Sequence, residues 1–149
     1  LDRLLEKFQI IHLCGKGKTD DSLNDTKGYC QFEYIRDELR DIFALADIVI
    51  SRAGANAICE LLALRKPNLL IPLSAKASRG DQILNARSFE RQGFSMVIEE
   101  EDLTEDSLVS AVFDLYENRG SYIDAMRNSD QQDSIDTIIS LIEEAASGK

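Results

Sequence analysis

Apolar positions along the chain follow two periods, and the alternation between them predicts the fold. Leu1, Leu4, Leu5 and Phe8 recur at helical spacing, and residues 9–14 (QIIHLC) read as a buried strand closed by Gly15 and Gly17. The polar run KTDDSLNDTKG predicts a loop to Gly28, followed by a short strand over residues 29–34 and a helix over 37–45. DIVI at 47–50 is a compact strand, and 54–64 is a helix with Ile58, Leu61 and Leu62 on one face. NLLIPL at 68–73 is a further buried strand, SAKASRG a loop, 81–92 a helix stopped by Gly93, and 94–98 the last strand. Helices over 104–117, 121–128 and 134–146 complete the pattern. Short β-branched runs alternating with amphipathic helices predict an α/β domain built of βα units around a parallel sheet. The first helix has no capping residue before it, which leads us to expect chain upstream of Leu1.

Composition narrows the function classes. The chain has 149 residues, 44% apolar and 30% charged, which suits one globular domain with its own core. Its 27 acids against 17 bases give a formal charge of −10, a field that repels phosphate backbones, so nucleic acid is not expected as a partner. Glu99–Glu101, Glu143 and Glu144 read as solvated helix faces. Three widely spaced cysteines and one histidine, His12, are too few and too scattered for a metal site. Cys14, Cys30 and Cys59 sit in apolar surroundings and read as buried, reduced thiols, and His12 as a core histidine. No apolar run is long enough to cross a bilayer and no signal peptide opens the chain, so a cytoplasmic location is expected.

Ligands of parallel α/β sheets sit beyond the carboxyl ends of the strands. Ser51-Arg52-Ala53-Gly54-Ala55-Asn56 stands at such a place, directly after a strand and opening a helix. Small residues there let a ligand approach the backbone, and the first N–H groups of the helix suit a phosphate. Arg52 offers a cation and Glu60 a carboxylate for two vicinal hydroxyls. The same spacing also fits a plain βα turn, with Gly54 serving packing and Glu60 solvated. Ser78-Arg79-Gly80-Asp81-Gln82, with Asn85 a turn later, offers paired acceptors and donors for sugar hydroxyls. Asp81 there also fits a helix cap. Gly15-Lys16-Gly17 lacks both the dinucleotide fingerprint and the P-loop ending and reads as a strand-ending turn.

Read together, HLCGKG, YIRDELRDIFALADIVISRAGANAICELLAL, KPNLLIPL and SRGDQILNA resemble the MurG family of N-acetylglucosaminyltransferases, from about Ile10 to Leu103. The resemblance implies a Rossmann-like C-terminal half of a two-domain GT-B enzyme. That enzyme would be a hexosyltransferase moving N-acetylglucosamine from UDP-N-acetylglucosamine to lipid I in peptidoglycan synthesis, with inversion. Carried over by position, the Ile35 backbone meets uracil. Ala55, Asn56 and Ala57 occupy the helix-start positions near the diphosphate and sugar, beside Ser51, Arg52 and Gly54 of the turn read above. Glu60 matches the glutamate that binds the ribose hydroxyls, and Asp81 and Gln82 match the pair that reads the sugar hydroxyls. The chain departs from the family at Asp81, where glutamine or histidine is usual, and at Ala57, where threonine is usual. The resemblance implies no metal and no cofactor. It also implies that residues 1–149 lack the first strand and glycine-rich loop of their domain. The acceptor domain, with the catalytic base and the membrane-facing surface, would lie elsewhere, making the full enzyme peripheral on the cytoplasmic face of the membrane. A donor subunit of another UDP-sugar transferase and a non-catalytic nucleotide-sugar-binding module are the alternatives.

Overall fold

A computed structural model describes residues 1–129, so the helix expected over 134–146 and the acids Glu143 and Glu144 lie outside the described residues. The chain divides into two compact units, residues 1–45 and 46–149.

In the first unit, α1 (Asp2–Leu5) is a single turn without a side-chain cap, and Leu4 is its buried residue. Two strands follow, β1 (Ile10–Leu13) and β2 (Tyr29–Phe32), paired in parallel with Ile11 opposite Cys30 and Leu13 opposite Phe32. The helix α2 spans Leu39–Leu45. The sequence predicted β1 as a buried strand, and the structure corrects this. Ile11, Leu13 and Phe32 are exposed, as is Cys30. A two-stranded ladder puts these register partners on one face, and that face is open. His12 is likewise exposed, with Nδ1 2.8 Å from the Tyr29 hydroxyl, so it is a surface histidine and not a core one.

The second unit is built on β3 (Val49–Ser51), β4 (Asn68–Leu70) and β5 (Ser95–Val97), a parallel sheet in that order. Helices α3 (Ala55–Ala63), α4 (Ala75–Ser78), α5 (Asp81–Arg91), α6 (Glu105–Glu117) and α7 (Arg119–Arg127) complete it. The middle strand β4 is buried at every position. Ile58, Leu61 and Leu62 of α3, Ala86 and Phe89 of α5, and Val109, Val112 and Leu115 of α6 form the core with it. Phe89 and Phe94 meet edge to face at 5.6 Å. The strand ends at Leu70, earlier than expected: the Ile71 N–H still donates to the Ser51 carbonyl at 2.9 Å, and Pro72 then carries no N–H to continue the ladder. The stretch expected as a loop at 74–80 contains the one-turn helix α4. Cys59 is on the outer face of α3 and exposed, and Cys14 is only half-buried, so none of the three thiols is a core residue.

Candidate functional site

The carboxyl ends of β3, β4 and β5 lie side by side, and the segments leaving them carry the residues singled out in the sequence. After β3 the chain runs through Arg52 and the fully buried Ala53 to Gly54, the N-cap of α3. Gly54 has φ −67° and ψ 143°, an extended conformation open to any residue. A Cβ placed there would meet nothing within 4 Å. Neither backbone geometry nor internal packing therefore demands glycine at this position, and the packing explanation for Gly54 fails. No side chain caps α3, so the N–H groups of Ala55, Asn56 and Ala57 have no partner among the described residues. Asn56 and Glu60 are exposed, and neither side chain makes a hydrogen bond or ion pair among the described residues.

The segment after β4 reaches α5 through α4 and two consecutive left-handed residues, Arg79 (φ 54°) and Gly80 (φ 87°). Gly80 is the N-cap and Asp81 the first helical residue, so Asp81 is not the cap. Its carboxylate is exposed and unpaired among the described residues, at a helix start that favours negative charge. Gln82 and Asn85 each spend one group on the scaffold. The Leu73 N–H donates to Gln82 Oε1 at 3.0 Å, and Asn85 Nδ2 donates to the Ala53 carbonyl at 3.1 Å. The Gln82 amide nitrogen and the Asn85 amide oxygen have no partner among the described residues. The α5 helix thus holds the β3 and β4 exits while turning one polar atom of each side chain outward.

Arg52 requires a correction. Its guanidinium donates to the Ile71 carbonyl at 3.1 Å and pairs with Glu100 Oε1 at 2.9 Å, so it is a strut between strand exits and not a free cation. The Ser51 hydroxyl likewise is engaged within the turn, donating to the Arg52 carbonyl at 3.0 Å. Glu100, in the short 3₁₀ turn after β5, also accepts from the Ser74 N–H at 3.2 Å through Oε2. These two donors hold its carboxyl below the usual glutamate range, the backbone bond from Ser74 first and the Arg52 side chain second. Glu99 pairs with Arg87, which also pairs with Glu90. Of the acidic run read as a solvated face, only Glu101 fits that description. The signal that could have singled out Glu100 is its position on the segment leaving the carboxyl end of a strand, three residues after Val97.

Ile35 belongs to the first unit, half-buried on the segment after β2. Among the described residues no cluster of His, Cys, Asp and Glu could hold a metal ion. No described helix is long and apolar enough to cross a membrane.

Comparison with known proteins shows the family and the fold. Residues 1–141 match the family model described as the glycosyltransferase family 28 C-terminal domain. The chain is 66% identical over 144 residues to the UDP-N-acetylglucosamine--N-acetylmuramyl-(pentapeptide) pyrophosphoryl-undecaprenol N-acetylglucosamine transferase of Lachnospira eligens, covering 97% of this chain and 41% of that protein. The proteins of the same name from Lachnoclostridium phytofermentans and Geobacillus thermodenitrificans are 67% and 58% identical, over 97% and 96% of this chain and 41% and 40% of theirs. The chain therefore spans about two-fifths of the length of these relatives. The solved structure of spinosyn forosaminyltransferase SpnP shares the fold, with a TM-score of 0.62 over 85% of this chain and 31% of that one at 17% identity.

Proposed function

Because the chain belongs to the glycosyltransferase family 28 C-terminal domain family, we propose that it is the donor-binding half of an inverting N-acetylglucosaminyltransferase of peptidoglycan synthesis. It would hold UDP-N-acetylglucosamine while the sugar passes to a lipid-linked muramyl acceptor, the reaction in the names of the relatives above. The observation that carries this reading is the start of α3. Glycine at 54 is unnecessary for packing among the described residues, yet it leaves uncovered three N–H groups that have no partner among them. Such a helix start accepts a diphosphate closely.

In this reading the acceptor sugar's 4-hydroxyl attacks the anomeric carbon of the donor and UDP departs. The N–H groups of Ala55, Asn56 and Ala57 stabilise the charge that gathers on the leaving diphosphate, and Arg52 acts only by fixing the turn before them. Glu60 accepts from the ribose hydroxyls. Asp81 and the Gln82 amide nitrogen read the sugar hydroxyls, with Asn85 as their support. Ile35 keeps the role the resemblance gives it, a backbone contact to uracil. The catalytic base and the acceptor site would belong to the rest of a longer protein peripheral to the membrane. The chain alone would then bind donor and transfer nothing.

Calorimetric titration with UDP-N-acetylglucosamine, UDP-glucose and UDP tests the proposal. Binding of all three is expected, with the N-acetyl sugar preferred. Absence of any uridine-nucleotide binding by the full-length protein would overturn it. Glu60→Ala should weaken UDP at least about tenfold, the loss of hydrogen bonds to a charged acceptor. Its melting temperature should not change, since the carboxylate is exposed and unpaired among the described residues.

A further inference from the structure

Three strand exits converge on one carboxylate. Glu100 Oε1 takes the Arg52 guanidinium from the β3 exit, at 2.9 Å, and Oε2 takes the Ser74 N–H from the β4 exit, at 3.2 Å. Glu100 itself stands on the β5 exit. Arg52 extends the tie to the Ile71 carbonyl. The first of the joined segments leads directly into α3, and the second leads through the one-turn α4, Arg79 and Gly80 into α5; these helices present Asn56, Glu60, Asp81 and Gln82. We propose that Glu100 is a positioning residue for the donor: it sets the separation between the α3 start and the α5 start without touching the ligand. The inference rests on the donor-site reading above.

The side chains of Arg52 and Glu100 are 49% and 35% exposed, so the pair adds little to global stability. Its effect is on geometry. A diphosphate-sugar that touches both helix starts is bound well only when their spacing is held, and a displacement of about 1 Å is costly at such sites. Glutamate is also the side chain that can serve both donors at once. Glutamine keeps an acceptor for the Ser74 N–H but meets Arg52 with no charge, and alanine loses both.

The test compares the full-length protein with Glu100→Ala and Glu100→Gln, reading donor KM, acceptor KM, melting temperature and amide hydrogen exchange. Glu100→Ala should raise donor KM about tenfold, leave acceptor KM within twofold and leave the melting temperature within a degree or so. Exchange should quicken both at Ser74 and at residues 52–55. Glu100→Gln should recover part of the donor KM, because one of the two ties survives. Donor KM within twofold of the parent in Glu100→Ala, or an equal rise in both KM values, would overturn the proposal. If the parent itself binds no uridine nucleotide, the donor-site reading fails first. The exchange measurement then decides separately whether Glu100 ties the two segments, and unchanged exchange would show that it does not.

Discussion

At the scale of single residues, the polar groups of the second unit divide into those the protein uses and those it leaves open. Arg52, Glu100 and one atom each of Gln82 and Asn85 are spent on tying strand exits together. Glu60, Asn56 and Asp81 have no such partners among the described residues and remain available to a ligand. Residue type alone does not separate these groups, since glutamate occurs in both. The division also predicts a titration. The Ser74 N–H and Arg52 favour ionised Glu100, so its folded pKa lies below its unfolded value. A depressed carboxyl contributes its tie above the unfolded pKa and loses it as pH falls through the folded one. The Ser74 amide resonance should therefore shift with a midpoint below that of a glutamate in an unstructured peptide. A midpoint at the ordinary value would mean that the tie is absent in solution.

At the scale of elements, the helix ends show how local chemistry and the tertiary fold share control. The helices α3 and α5 end in the same way. Lys66 and Arg65 donate back to the Leu61 and Leu62 carbonyls, and Phe94 and Gly93 to those of Phe89 and Glu90. The residue in the left-handed position is Gly93 in α5 (φ 75°) but Arg65 in α3 (φ 50°). A side chain in that region carries a steric cost that glycine avoids, partly offset by glycine's greater unfolded entropy. Arg65→Gly should thus stabilise the second unit by about 0.5–1 kcal/mol, seen as a rise in the chemical denaturation midpoint; a fall would show that Arg65 makes a compensating contact. The start of α6 lies where the helix over 104–117 was expected, and the structure adds a reciprocal cap between Thr104 and Ser107. The single turn of α4 was not, because its seven-residue surroundings, SAKASRG, carry no apolar period and only the positions of α5 and β4 make a turn fit there.

At the scale of the whole molecule, the second unit rests on β4, whose Leu69 and Leu70 are fully buried. Leu70→Ala should cost about 2–5 kcal/mol through lost contact and a residual cavity. Leu84, 70% exposed on α5, serves as the control, and Leu84→Ala should stay within about 0.5 kcal/mol. Comparable losses at both positions, measured by denaturant unfolding, would contradict this core. The sequence by itself determined the order of strands and helices, the parallel α/β class and the strand exits where chemistry gathers. It could do so because burial of one face imprints a local period on the chain. It misjudged the β1–β2 pair, since an apolar run states what could be buried and not what covers it. Only the tertiary structure decided which charges are spent. Arg52 and Glu100 are 48 positions apart, and no period links them. Their pairing exists because three parallel strands end at the same level and bring their exits within hydrogen-bond reach. That distance in space turns an acidic run read as solvated surface into a tie across the site.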